Sequence, residues 1–165
     1  MQKQKILFVC LGNICRSPLA EALFLYHAEE AGLGDRFEAD SCGTSGHHAG
    51  DLPDPRTRAN AARNGIEILH RGRQLRPGDF SKFDLILTMD RQNYRDARNL
   101  ALRHGFEQAD IRMMRRYDPL ASHPEEEVPD PWYGGEEGFE EVFQILSRSC
   151  SGLLESLRQE MHMPS

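Results

Sequence analysis

The run Lys5-Ile6-Leu7-Phe8-Val9 is strongly apolar, and within eight residues of its end Ser17-Pro18 opens a helix. An apolar run of this length, with no alternation, reads as a strand buried on both faces, as in a parallel sheet. Ser is a good N-cap, and Pro fits the first helical turn. The handover between the two elements is the short loop Cys10-Leu11-Gly12-Asn13-Ile14-Cys15-Arg16-Ser17. Backbone N–H groups in such a loop converge on one point, and the helix dipole adds partial positive charge there. The opening of the chain therefore calls for strand–helix alternation with an anion-binding turn at its first crossover.

Further strand-like runs lie at residues 37–42, 84–89 and 110–114. The first helix runs from Ser17 towards Gly32, with Leu19, Ala22, Leu23 and Tyr26 at helical spacing. A second starts near Asp54-Pro55, carries Ala59, Ala62 and Arg63, and stops at Asn64-Gly65. A third follows Asp90 through Tyr94 and Leu100. The last starts near Gly138, with Phe139, Val142, Phe143, Leu146, Leu153, Leu154 and Leu157 on one stripe. This alternation predicts an α/β fold: a four-stranded parallel sheet with helices on both faces, flavodoxin-like or Rossmann-like in three layers. Ligands in such folds sit outside the carboxyl ends of the strands, where the Cys10 loop lies. The expectation is one domain over residues 1–165, with 161–165 as a frayed tail.

A chain of 165 residues can bury one core without disulfides or metal. Its net charge of −6 argues against nucleic acid or an anionic membrane as the main partner. No run approaches membrane-spanning length, and the apolar run at the N-terminus is too short for a signal peptide. The cysteines at 10, 15, 42 and 150 have neither metal-ligand nor C-x-x-C spacing. Reduced thiols and a cytoplasmic location are expected, with no metal, no cofactor and a monomer by default. The acids at 125–127, 130, 136–137 and 140–141 read as a solvated rim and a helix start, or as charges that repel acidic substrates.

A dianionic phosphate fits the loop, with the Arg16 guanidinium gripping two of its oxygens. The same field favours negative charge on the Cys10 sulfur. An anion cup with a nucleophile on its floor is a site for attacking phosphorus. Taken singly, Cys10 also reads as a small buried apolar residue and Arg16 as a surface cation. Expelling an alkoxide or phenolate needs a proton donor, and the candidate is Asp130 in Val128-Pro129-Asp130-Pro131-Trp132-Tyr133-Gly134-Gly135. Asp-Pro and Gly-Gly alone spell a turn. The adjoining Trp132 and Tyr133 offer flat walls for an aromatic ring.

The string CLGNICRSP resembles the loop of the low-molecular-weight protein tyrosine phosphatase family, and the resemblance extends from the first strand to the last helix. It implies hydrolysis of phosphotyrosine in proteins, and of small aryl phosphates, through a phosphocysteine intermediate. Cys10 is then the nucleophile, Arg16 the phosphate clamp, and Asp130 the acid and afterwards the base. Leu11, Gly12, Asn13, Ile14, Cys15 and Ser17 form the phosphate loop, and Ser17 donates a hydrogen bond to Cys10. Ser41 and His70 support Asn13, and Asp90 steadies His70. Read without the resemblance, His70 is a surface histidine or a satisfied core one. Trp132 and Tyr133 form one wall; Trp132 stands where the family more often has Tyr. The opposite wall, commonly Trp or Tyr, falls on His47. The pair His47-His48 is by itself a poor zinc site. Arg56 carries no assigned role.

Cys15 is either an inert loop thiol or the partner that captures a peroxide-oxidised Cys10 as a reversible disulfide. Cys42 and Cys150 read as core residues. The implied partners are a phosphotyrosine protein, a tyrosine kinase among the candidates, and inorganic phosphate as product and inhibitor. Three other readings compete. A thioredoxin-coupled arsenate reductase needs relay cysteines around residues 70–100, where there are none. A protein arginine phosphatase carries Thr where this chain has Ile14. A non-catalytic phosphate-binding module has no use for Cys10 or Asp130.

Overall fold

The computed structural model describes residues 2–133 and 135–161, without the side chain of Tyr133. Its sheet has four parallel strands, β1 (Gln4–Cys10), β2 (Phe37–Gly43), β3 (Leu85–Thr88) and β4 (Ile111–Met113), in the spatial order β2-β1-β3-β4. The helices are α1 (Arg16–Glu30), α2 (Pro55–Arg63), the short α3 (Asp79–Lys82), α4 (Arg91–Arg103) and α5 (Glu136–Glu160). The chain runs from β1 outward to β2, then returns past β1 to build β3 and β4. The strand order therefore reverses beside β1, which makes its carboxyl end the switch point where such sheets bind ligands.

The central strand shows why the sheet is covered on both faces. Ile6 and Phe8 point to one side and join Leu19, Leu23 and Phe24 of α1 and Val142, Leu146 and Leu153 of α5. Leu7 and Val9 point to the other and join Phe80 of α3 with Ala97 and Ala101 of α4. Alternate residues go to opposite faces and both faces are dry, so the strand is apolar throughout. Two layers of helix around one parallel sheet are what the strand–helix alternation predicted.

Several details differ from the expectation. α1 starts at Arg16 and no side chain caps it, because the Ser17 hydroxyl is spent on the Cys10 sulfur. Gly32 does end α1, at φ +74°. Tyr26 is exposed, and so are Ala59 and Ala62 of α2; that helix buries Thr57, Asn60 and Ala61 instead. The buried Asn60 donates to Glu140 of α5, which also accepts from the exposed Asn64 just past the helix end. α5 opens at Glu136 rather than Gly138, with Glu136 and Glu137 in the first turn, where the helix dipole favours acids. Met161 packs against the core, and the rest of the expected tail lies outside the described residues. Cys42 and Cys150 are fully buried. No described helix is long and apolar enough to cross a membrane.

Leu146 is completely buried where α5 meets α1 and the sheet. Leu146→Ala removes that side chain from a close-packed layer and is expected to cost about 2–5 kcal/mol. The loss should show as a lower urea midpoint with an unchanged m-value.

Candidate active site

The loop between β1 and α1 is shaped by Asn13, which sits in the left-handed region at φ +57°. Asn tolerates that region better than most residues. In this conformation its N–H points back at the Cys10 sulfur, 3.3 Å away. The Asn13 side chain is fastened at both ends: Nδ2 donates to Ser17 Oγ (2.8 Å) and Ser41 Oγ (3.1 Å). Oδ1 accepts from His70 Nε2 (2.7 Å) and from the N–H of Arg73 (3.0 Å). Ser17 Oγ accepts from Asn13, so its proton is free to go to Cys10 Sγ at 3.0 Å, a closer contact than Cys42 O at 3.4 Å. The sulfur is thus held by two donors on the floor of a cup.

Arg16 is buried in the first turn of α1. Its Nη1 donates to Asp90 Oδ2 (2.8 Å) and to the carbonyl of Val128 (3.1 Å), and Nη2 stands 3.7 Å from Asp130 Oδ2. Burial works against this charge, but the Cys10 sulfur and the Asp90 carboxylate outweigh it and keep the guanidinium protonated. Asp90 was expected to steady His70, and it does not. It leaves the end of β3, caps α4 through the N–H of Asn93 (2.7 Å), and faces Arg16. His70 lies on the β2 side of β1, out of its reach.

The carboxylates that His70 meets are Glu21 (3.2 Å) and Asp40 (3.4 Å), both at Nδ1. Because Nε2 must donate to Asn13, a neutral ring presents Nδ1 as an acceptor. Burial raises Glu21 to about 7, and burial lowers His70 from its ordinary value. Both shifts favour the same arrangement, a protonated Glu21 facing an unprotonated Nδ1. Glu21, Asp40 and His70 are close enough to be considered as metal ligands. Glu21 Oε1 already accepts from Ser41 Oγ, the Asp40 carboxylate from Arg73 and the Ser41 N–H, and the other nitrogen of His70 donates to Asn13.

The pocket above Cys10 has a volume of about 180 Å³. Leu11, Gly12, Ile14, Cys15 and Arg16 line it with Cys10, and Asp130 and Trp132 close one side. The opposite side is His48, where His47 was expected. The turn after Ser45 brings the His48 ring over Gly12, and Asp51 pins it at 3.1 Å. His47 is turned outward and only packs edge-on against His48. The Trp132 N–H donates to Asp130 Oδ1 (3.0 Å), which fixes the carboxyl within its own short turn. Tyr133 is part of that turn, but its side chain lies outside the described residues, as does Gly134.

Glu21, Asp40, Arg73, His48, Asp54 and Arg56 were all missed as site residues. One signal was available: Glu21 lies four residues after Ser17, on the same face of α1. The others arrive from separate elements, and no spacing links them.

Such a cup can hold a tetrahedral oxyanion and present sulfur to its centre, which places the chain among the cysteine-dependent phosphatases as a class. Over residues 5–163 it matches the family described as low molecular weight phosphotyrosine protein phosphatase, and it belongs to that family. It is 43% identical over 157 residues to a low molecular weight protein-tyrosine-phosphatase of Streptomyces coelicolor, covering 95% of each chain. Among solved structures it is similar to a protein tyrosine phosphatase of Entamoeba histolytica, with TM-score 0.86, 36% identity, and coverage of 96% and 99%. A drosophila arginine phosphatase has the same TM-score of 0.86 at 29% identity, with coverage of 94% and 98%.

The two shifts have a measurable consequence. Burial raises the folded Glu21 above its unfolded value, which adds stability at lower pH, and lowers the folded His70 below its own, which adds stability at higher pH. The two shifts act on the slope of the stability curve with opposite signs and offset one another. Glu21→Gln imitates the protonated acid and removes that balance. The neutral His70 then has a folded pKa below its unfolded one, so its stabilising effect is present above about 6.5 and lost as the pH falls. Urea titrations at pH 5 and 7.5 should show the variant losing stability in acid relative to the parent chain.

Proposed function

We propose that this chain hydrolyses phosphotyrosine in proteins, and small aryl phosphates, through a phosphocysteine intermediate. The observation that carries the reading is the Cys10 sulfur, held by the Asn13 N–H and the Ser17 hydroxyl below a pocket bounded by Arg16 and Asp130. The thiolate attacks phosphorus, forming S–P as the P–O bond to the aryl group breaks. The loop amides and Arg16 hold the equatorial oxygens as charge shifts between them. Asp130 gives its proton to the departing phenolate. Water then attacks the phosphocysteine and passes a proton to Asp130, and S–P breaks. The thiolate returns and phosphate leaves, its negative charge received by the Ser17 hydroxyl.

The walls favour an aromatic ring. Ile14, Trp132 and Leu11 are apolar, whereas a phosphoarginine would bring a charged guanidinium against Ile14. The reductase reading lacks its relay: the two cysteines away from the loop, Cys42 and Cys150, are buried in the core. A phosphoprotein is the substrate class, and inorganic phosphate competes with it for the cup. Cys15 lines the same pocket, and burial pushes its thiol up to about 12. It therefore meets an oxidised Cys10 as the neutral thiol. After hydrogen peroxide turns Cys10 into the sulfenic acid, Cys15 displaces water and forms the disulfide.

The test is phosphate release from phosphotyrosine, phosphoserine and phosphoarginine peptides. Release from phosphotyrosine, lost in Cys10→Ser, is the expected result; preference for phosphoarginine would overturn the substrate class. Asp130→Asn is expected to lower kcat/KM on phenyl phosphate by about 10²–10⁴. For the thiol pair, recovery of activity by reductant after peroxide treatment should fall in Cys15→Ser. Unchanged recovery would leave Cys15 as a wall of the pocket and nothing more.

A further inference from the structure

Arg56 bridges the two halves of the site. It belongs to the first turn of α2, whose N-cap is Asp54. Asp54 is tied to the phosphate cup, since its N–H donates to the carbonyl of Ile14 at 2.8 Å. Its buried carboxylate accepts the Arg56 N–H (2.8 Å) and both sides of the Arg56 fork, Nε at 3.1 Å and Nη2 at 2.9 Å. Burial would raise the Asp54 carboxyl, but the bonds from Arg56 outweigh it and keep the group ionised. On its other side the guanidinium lies over two aromatic faces. Its carbon is 5.2 Å from the Trp132 ring centre and 4.8 Å from that of Phe139, the residue that anchors the start of α5. Nη1 also reaches the Trp132 carbonyl at 3.4 Å. Trp132, in turn, holds Asp130 through its N–H.

One chain of contacts therefore runs from Ile14 through Asp54, Arg56 and Trp132 to Asp130. Each link is directional: a bidentate fork on a carboxylate sets the plane of the guanidinium, and that plane sets where the indole can stack. We propose that Arg56 is a positioning residue that fixes Trp132, and through it the Asp130 carboxyl, relative to the phosphate cup. It touches neither phosphate nor leaving group, and its effect is on the proton donor alone. The inference rests on the assignment of Asp130 as general acid.

A role in aiming the acid differs from a general structural role in how it depends on the leaving group. Formation of the phosphocysteine, read as kcat/KM, needs the proton for phenyl phosphate and scarcely needs it for 2,4-dinitrophenyl phosphate. In Arg56→Ala, kcat/KM on phenyl phosphate is expected to fall about tenfold and that on the dinitrophenyl ester by less than about twofold. Inhibition by inorganic phosphate, which reads the cup, should stay unchanged. Arg56→Lys keeps a cation over the rings without the planar fork and should recover part of the loss. In an Asp130→Asn background Arg56→Ala should add nothing further. Equal losses on both esters with weaker phosphate inhibition would mean that Arg56 supports the cup, and would overturn the proposal. So would full activity of Arg56→Ala on phenyl phosphate. If Asp130→Asn itself treats the two esters alike, the acid assignment fails first and the proposal falls with it.

Discussion

A loop of free amides cannot stay wrapped around an anion site unless something holds it open when the site is empty. Here the left-handed Asn13 provides that hold. A residue in that region costs energy, and the cost is offset only where the surroundings fix it. Asn13 is fixed from α1 by Ser17, from β2 by Ser41, and by His70 and Arg73 in the segment that returns towards β3. Every polar atom of its side chain is used. The cup is therefore built before any phosphate arrives, and none of the binding energy is spent on ordering it. Glu21 and Asp40 extend the brace outward, Glu21 holding Ser41 and His70 and Asp40 holding Arg73.

Burying a guanidinium is costly unless its charge is met. Asp90 and the Val128 carbonyl meet it on one edge of Arg16, and the other edge faces the pocket with only a loose partner in Asp130. The asymmetry suits a clamp. The tight contacts hold the group in place in the empty enzyme, while the loose one can give way to phosphate oxygens. Asp130 is also the more exposed of the two carboxylates, so releasing it from Arg16 costs little.

The first strand, the cup and the start of α1 were legible because they are local. An apolar run, a short Cys-to-Arg loop and a Ser-Pro pair each constrain a few neighbouring residues, and the family resemblance rests on the same string. What was not legible is tertiary. Asp90 was matched to His70, but the two sit on opposite sides of β1, and only the strand order separates them. His47 and His48 differ by one place in a turn, and Asp51 decides which ring faces Gly12. Arg56 read as an unremarkable first-turn arginine because its partners are an aspartate two residues back and two aromatics about eighty residues on. The polar face that α2 buries follows the same logic: Asn60 is inside because Glu140 comes to meet it.

The segment that carries Asp130 is fixed at its ends more than at its middle. Upstream, the fully buried carboxylate of Asp118 accepts from Arg115 and from Arg148 of α5, and Arg115 continues to the carbonyl of Glu127. The next residue, Val128, is buried; its N–H donates to Met89 at the end of β3 and its carbonyl accepts from Arg16. Downstream, α5 is locked into the core by Val142 and Phe143. Between these anchors Asp130 and Trp132 are held by contacts at the surface: the long approach to Arg16, the stacking on Arg56 and the turn within the segment itself. The acid and base role proposed for Asp130 asks for that division. The anchors set where the carboxyl can reach, and the weaker surface contacts leave it room to adjust within that reach.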